Sequence, residues 1–290
     1  MTGDVPKLAM VGVGTMGRAM AGSALRAGIP TVVWNRDPAP AEMLADQGAE
    51  VAPSVVNAVR DVDVVITMVT DADAVVSIAT EQQLLAGLPE GAVWAQMSTI
   101  GIEGTERVAA LARSQRPDVS FVDAPVSGSK VPAEQGKLLI FASGAEEARA
   151  RVGPVFDAIG QRTIWLGSAG NGSRMKLVNN TLLAFTAEGV ANSLALAHRL
   201  GLETASVVEA FHGSPLLSPW EAGKLDRIAK GDFSAEFALA LALKDVHLAL
   251  SADASERFRV FAALAKEWEE IVDSGRGGDD VTVVTRALEQ

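Results

Sequence analysis

The chain has 290 residues, with 25 Lys and Arg against 36 Asp and Glu, and its net charge of −11 argues against nucleic acid or an anionic membrane as a partner. Nearly half of it (48%) is apolar, enough to bury a sizeable core in one large domain or two ordinary ones. Cysteine is absent, which excludes disulfides, thiolate chemistry and cysteine-held metals and fits a cytoplasmic protein. The first residues lack the basic and apolar regions of a signal peptide, and no apolar run is long enough to demand a bilayer.

The first strand, Lys7–Val11, runs directly into Gly12-Val13-Gly14-Thr15-Met16-Gly17, and a helix follows over Met16–Ala27. That order is what a dinucleotide needs. Gly12 permits the tight turn, Gly14 lets the backbone approach a pyrophosphate, and Gly17 lets the helix pack close to the strand. Free N–H groups and the dipole at the helix start favour the phosphates. The next strand, Thr31–Trp34, ends at Asn35-Arg36, eighteen residues past Gly17, where an acidic residue would hold the ribose 2′-hydroxyl of NAD. Neutral Asn35 removes a charge that would repel a 2′-phosphate and Arg36 offers it a bidentate partner, so NADP(H) is favoured over NAD(H). An ordinary surface arginine at a strand end is the alternative.

Further strands are expected at Val62–Met68, Ala92–Gln96, Ser120–Val122, Leu138–Ala142 and Thr163–Leu166. Helices lie between them near Pro40–Gln47, Ser54–Arg60, Ala72–Ile78, Ile102–Ser114 and Glu146–Ile159. Continuous hydrophobicity in Val62–Met68 suggests burial on both faces, as in a parallel sheet, and the alternation reads as a doubly wound α/β fold. The pattern changes after Gly167-Ser-Ala-Gly-Asn-Gly172. A long helix runs from Ser173 to about Leu200 and stops at Gly201; helices follow at Glu203–Phe211, Pro219–Ala229, Ala238–Ser251, Phe258–Ser274 and Val281–Leu288, with no convincing strand. The expected organisation is an N-terminal dinucleotide-binding domain over residues 1–168 and an all-α domain over 169–290, with 274–280 as a flexible turn.

The chemistry must come from particular side chains. On the long helix Lys176 and Asn180 stand at i and i+4 and share a face that also carries apolar Leu183 and Ala187, with Asn179 beside them. An ammonium and an amide on such a face suggest a lined pocket, in which Lys176 could deliver or remove a hydroxyl proton once desolvation lowers its pKa. A solvated lysine on an amphipathic helix is the other reading. Asp123-Ala-Pro-Val-Ser-Gly-Ser129 follows a strand, and Ser127 with the N–H groups of Gly128 and Ser129 could bind a carboxylate; an ordinary polar turn would look the same. Ser98-Thr99 lies just past a strand, on the side where open α/β sheets bind ligands, or serves as a helix N-cap. Lys244-Asp245 interrupts an otherwise apolar helix, and a partly exposed helix edge would also explain it. The three histidines, His198, His212 and His247, show no metal-ligand spacing and read as structural.

Together these segments resemble the β-hydroxyacid dehydrogenase family, which includes 3-hydroxyisobutyrate dehydrogenases, tartronate semialdehyde reductases and glyoxylate/succinic semialdehyde reductases. The likeness runs over nearly the whole chain in four ordered motifs: Gly12–Gly17, Asp123–Gly128, Gly170–Lys176 with Asn180, and Lys244-Asp245. It implies a Rossmann domain joined by a long helix to an all-helical domain that usually forms oligomer contacts, with the active site in the cleft between; a homodimer is expected because the long helix needs something to cover it. It implies that Lys176 is the general acid/base, that Asn180 orients the substrate, that Ser127, Gly128 and Ser129 bind its carboxylate, and that Thr99 and Lys244 contact the cofactor, with Met68 and Val69 also on the cofactor side. Hydride would then pass between nicotinamide and the carbonyl or hydroxyl carbon of a small carboxylated aldehyde or β-hydroxy acid, with no metal. Ser129-Lys-Val-Pro-Ala-Glu-Gln-Gly136 is similar to the glyoxylate/succinic semialdehyde reductase branch. Ser214–Trp220 departs from the family pattern, and bulky Leu216, Leu217 and Trp220 would favour a less polar substrate. Imine reductases share this fold but generally lack the lysine, and a non-catalytic NADP-binding module is a third reading.

Overall fold

The computed structural model describes residues 5–253, 255 and 257–288. Strand β1 (Leu8–Val11) sends Leu8 and Met10 into one apolar cluster and Ala9 and Val11 into another, all four completely buried. Helices cover both faces of the sheet, so its central strands have no polar face. The chain continues through α1 (Thr15–Arg26), β2 (Thr31–Trp34), α2 (Ala39–Ala45), β3 (Glu50–Val51), α3 (Val55–Val59), β4 (Val64–Thr67), α4 (Ala72–Ala79) and α5 (Leu84–Gly87). It then forms β5 (Val93–Gln96), α6 (Gly101–Gln115), β6 (Ser120–Asp123), β7 (Val126–Ser127), α7 (Lys130–Glu134), β8 (Leu138–Gly144), α8 (Glu146–Ile159) and β9 (Gly160–Trp165).

The strand order β3-β2-β1-β4-β5-β6 is that of a Rossmann sheet, all parallel, and β8 then joins β6 in antiparallel fashion with β7 and β9 as its neighbours. The order reverses beside β1, which opens a crevice at the strand ends where the glycine turn begins. Strand β4 is entirely β-branched (Val64, Val65, Ile66, Thr67) and fully buried, as suits a central strand. Next to it Trp94 is fully buried, donates from Nε1 to Thr67 Oγ1 at 3.1 Å and meets Phe121 edge-on at 5.3 Å.

Helix α9 (Asn171–Arg199) has 29 residues, about 43 Å at 1.5 Å per residue. The chain divides by packing into two compact units between Lys176 and Leu177, within this helix. The second unit is helical: after α9 come α10 (Thr204–Phe211), α11 (Pro219–Ala229), α12 (Leu239–Ser251), α13 (Arg259–Ile271) and α14 (Val284–Leu288). Phe261, Leu264, Ala265, Trp268 and Ile271 form the buried stripe of α13 and pack with Leu239, Leu243 and Val246 of α12 and with Ala184, Ala187 and Ala191 of α9. Among the described residues no helix is long and apolar enough to cross a membrane.

The expected long elements are present, but four short ones, β3, α5, β7 and α7, were not anticipated; none is long enough to show a period. The 274–280 segment is a correction. Helix α13 passes into a wide π turn over Val272–Arg276 with Gly275 at φ +89°, and the segment ends in Asp280, which is fully buried. Asp280 accepts from Lys224 Nζ at 2.9 and 3.0 Å and from the backbone N–H groups of Glu236, Phe237 and Thr282. A flexible turn has no such anchor.

Burial alone would raise the Asp280 pKa, but the Lys224 charge and these hydrogen bonds outweigh it and hold the carboxyl below its usual range. A depressed folded pKa means that the stabilisation is complete above the unfolded value, about 3.9, and is lost as pH falls through the folded one. Asp280→Ala leaves buried Lys224 paired with Glu236 Oε2 at 2.9 Å but takes the acceptor from the Glu236 and Phe237 N–H groups, and should cost about 3 kcal/mol in urea unfolding at pH 7. The gap between wild type and variant should narrow on acidification below about pH 4.

Candidate functional site

The three glycines of the first turn have three different surroundings. A Cβ on Gly12, whose φ is +94°, would stand 2.4 Å from the Met68 carbonyl oxygen and 2.7 Å from Val69 Cγ1. A Cβ on Gly17 would stand 2.0 Å from the Gly12 carbonyl oxygen. A Cβ on Gly14 would meet nothing within 4 Å. Gly12 and Gly17 are therefore glycines because the protein's own backbone is there, whereas Gly14 opens onto space that a phosphate can enter. Gly14 is also the N-cap of α1, with no side-chain cap bond and no acidic residue in the first turn, so no carboxylate competes for those N–H groups. These residues fit a dinucleotide.

The expected cofactor residues around this turn come together. Met68 and Val69 lie directly beneath Gly12. Asn35 accepts from Val13 N through Oδ1 at 3.0 Å and donates from Nδ2 to the Asp37 carbonyl at 2.8 Å. Its amide thus ties the glycine turn to the end of β2, where a carboxylate could accept but not donate. Arg36 is exposed beside it, and Thr15 is exposed at the start of α1. Ser98 is buried and accepts from Val69 N at 2.8 Å, while its own N–H donates to Gln96 Oε1 at 2.7 Å. It joins the ends of β4 and β5 and caps no helix, since α6 has Ile100 at its N-cap. Thr99 is half-buried beside it.

A second group of polar residues gathers at the end of β6. Asp123 is fully buried there and accepts from Ser173 N at 2.8 Å, Ser173 Oγ at 2.7 Å and Ser143 Oγ at 3.1 Å. Burial pushes its pKa up, and the bonds from Ser173 and Ser143 only partly oppose that. This carboxyl group receives the first turn of α9, on which Lys176 follows, half-buried, at the end of the first unit. Ser127 closes β7, Gly128 adopts φ +134° with its Cβ position 2.8 Å from Leu138 Cδ2, and Ser129 is the N-cap of α7. Gly128 and Ser129 therefore owe their place to a tight turn as well as to any ligand. Nothing in the composition pointed to the Asp123–Ser143–Ser173 cluster; the one local signal was an acidic residue at the end of the strand Ser120–Asp123, next to buried Val122.

In the helical unit Asn180 is buried, donates from Nδ2 to Asp245 Oδ2 at 2.5 Å and accepts from Asn179 Nδ2 at 2.9 Å. Lys244 pairs with Asp245 Oδ1 at 2.9 Å. The two charges that interrupt α12 are thus one ion pair, whose buried member also holds Asn180. His247 bonds Glu269 at 2.9 Å in an exposed pair. Of the bulky residues in the divergent segment, Leu216 is 79% exposed, Leu217 packs with Val190, Leu194 and Leu225, and Trp220 lies over the Lys224 ammonium at 5.6 Å. Among the described residues no cluster of His, Cys, Asp and Glu could hold a metal.

Comparison with known proteins adds to this geometry. A family model for the NAD binding domain of 6-phosphogluconate dehydrogenase matches residues 7–167, more than half of the chain, and one for the NAD-binding region of NADP-dependent 3-hydroxyisobutyrate dehydrogenase matches 170–288. Glyoxylate/succinic semialdehyde reductase 1 of Arabidopsis thaliana is 30% identical, the match covering 97% of this chain and 98% of that one. The crystal structure of 3-hydroxyisobutyrate dehydrogenase from Salmonella typhimurium superposes with a TM-score of 0.89 at 26% identity, covering 97% and 99% of the two chains. An imine reductase from Myxococcus stipitatus with NADP+ reaches 0.68 at 24% identity over 97% and 99%, a likeness of fold alone.

The glycine surroundings separate binding from folding. Gly14→Ala should leave the melting temperature within about 2 °C of wild type and weaken dinucleotide binding by roughly tenfold or more, as read by calorimetric titration. Gly17→Ala should instead lower the melting temperature by several degrees, because its methyl group meets backbone.

Proposed function

The chain belongs to the β-hydroxyacid dehydrogenase family, and from that premise we propose that it is an NADP(H)-dependent oxidoreductase acting on a small carboxylated aldehyde or the matching β-hydroxy acid. The observation that carries the reading is the pairing, within one unit, of an open glycine turn at the end of β1 with a half-buried lysine on a helix start held at the end of β6. The bound nicotinamide supplies or accepts the hydride. The residues of the chain do the rest. The N–H groups at the start of α1 hold the pyrophosphate, and Met68 and Val69 wall the turn. Ser127, Gly128 and Ser129 receive the substrate carboxylate, which points its carbonyl toward Lys176. Lys176 gives its ammonium proton to the oxygen of the carbonyl as the carbon is reduced, and takes a proton from the hydroxyl in the reverse direction. The family resemblance gives Asn180 the role of orienting the substrate and Thr99 and Lys244 that of serving the cofactor.

NADP(H) is preferred on two grounds. Asn35 places no charge beside the ribose, and exposed Arg36 is available to a 2′-phosphate. The second family model describes an NADP-dependent enzyme. A cysteine-free chain that uses this cofactor suits the cytoplasm.

We infer a homodimer, a reading that α9 supports. Val178, Leu182, Leu196 and Leu200 are 65%, 70%, 58% and 68% exposed, and with Phe185 they fall on one side of the helix. A stripe of that length on a helix suits a second copy of the same stripe. Light scattering at micromolar concentration should give twice the monomer mass, and Leu182→Glu should return it to one.

The reading is tested by following NADPH oxidation at 340 nm with glyoxylate, succinic semialdehyde, methylmalonate semialdehyde and a cyclic imine. Turnover is expected on a carboxylated aldehyde, with kcat/KM for NADPH above that for NADH. Lys176→Ala should lower kcat by roughly 10²–10⁴-fold with NADPH affinity nearly intact. Turnover on the imine alone would move the assignment to imine reduction, and tight NADPH binding with no turnover would leave a cofactor-binding module.

A further inference from the structure

The way α9 begins is unusual for a helix. A surface N-cap would hold a helix start without desolvating a carboxyl group. Here the first turn rests on a buried acid two strands into the sheet. Asp123 Oδ2 accepts from Ser173 N at 2.8 Å and from Ser143 Oγ at 3.1 Å, and Ser143 Oγ in turn accepts from Gly172 N at 2.9 Å. A methyl group on Gly172 would stand 2.2 Å from the Phe141 carbonyl oxygen and 2.8 Å from that of Asp123, so the helix backbone lies directly on β6 and β8. Lys176 is three residues beyond Ser173, about 4.5 Å farther along the axis.

We propose that Asp123 is a positioning residue for Lys176: through Ser143 and Ser173 it fixes the first turn of α9 to the sheet and so sets where the Lys176 ammonium stands relative to the oxygen it protonates. The inference rests on the reading of Lys176 as the acid/base. Without the clamp the lysine is still present, but the helix start that carries it has lost its link to the strands bearing the substrate turn.

The protons available show which substitution preserves the clamp. Asp123 Oδ1, Ser173 Oγ, Thr105 Oγ1 and the Gly101 carbonyl oxygen form a row with contacts of 2.7, 2.8 and 2.7 Å. Ser173 Oγ donates to Asp123 Oδ1 and Thr105 Oγ1 to the Gly101 carbonyl, so the two hydroxyl protons are used at the ends of the row. An asparagine keeps one oxygen for Ser173 N and Ser143 Oγ, and its amide donates to Ser173 Oγ, whose proton then turns to Thr105 Oγ1; alanine supplies none of these contacts.

The experiment compares wild type with Asp123→Ala, Asp123→Asn and Ser173→Ala, measuring kcat, KM, NADPH affinity and hydrogen exchange at amides 172–176. Asp123→Ala should lose roughly 10–100-fold in kcat while KM and NADPH affinity stay within about threefold, because a displacement near 1 Å misaligns the reacting groups without removing a binding contact. Its Gly172 and Ser173 amides should exchange about tenfold faster or more. Asp123→Asn should restore slow exchange and most of kcat, a rescue that simple loss of stability would not produce. Asp123→Ala that folds and keeps wild-type kcat overturns the proposal, as does Asp123→Asn no better than Asp123→Ala. Should Asp123→Ala not fold, wild-type kcat in Ser173→Ala overturns it. A wild type that reduces no carboxylated aldehyde defeats the functional reading instead; exchange at 172 and 173 then judges the clamp alone, and unchanged rates in Asp123→Ala reject it.

Discussion

The first unit depends on how closely one helix approaches one strand end. With the Gly17 Cβ position only 2.0 Å from the Gly12 carbonyl oxygen, any side chain there would push α1 off the sheet. That approach turns the free N–H groups of α1 toward the crevice beside β1, and it puts Met68 and Val69 against the turn. Everything else at the carboxyl ends of the strands is arranged around it: Asn35 reaches across from β2 and Ser98 from β5 to satisfy N–H groups that the turn and the end of β4 leave over. The site is thus built chiefly of backbone, with side chains supplying its joints.

A similar economy governs the end of β6. Asp123, Ser143 and Ser173 are fully or almost fully buried, and each satisfies the others together with backbone groups of the segment that starts α9. A buried polar network of this kind tolerates little change, because a missing member leaves its partners unsatisfied in a medium where that is costly. The glycine turn and this network are two rigid points on one sheet, one suited to the cofactor phosphates and the other to the lysine-bearing helix.

Much of this was legible in the residues. The glycine turn, the buried strands and the long helix are local patterns whose period or spacing lies within a few positions, and they appear where they were expected, with ends shifted by at most three residues. What was not legible joins positions far apart. Asp123 meets Ser173 across 50 residues and Asn180 meets Asp245 across 65, and no local rule pairs them. Ser98 illustrates the limit differently: its position past a strand and before a helix suits an N-cap, yet its hydroxyl is taken by Val69 of the neighbouring strand end. Ser274–Asp280 has the glycines and acids of a loose turn, and only the packing of Lys224 reveals that its last residue is core.

That last contact has a consequence for how the helical unit comes apart. Lys224 and Asp280 are 56 residues apart, and Asp280 also takes N–H groups from the segment before α12 and from the turn that leads into α14. Val281, Val283 and Val284, immediately after it, are completely buried in the same cluster as Trp268. Peeling away the chain from Asp280 onward would therefore expose three core valines, take from buried Lys224 one of its two carboxylate partners, Glu236 being the other, and release the start of α12 at once. The turns from Asp280 to Leu288 do not fray by themselves: they open together with α11 and α12 as one cooperative unit, or they stay closed.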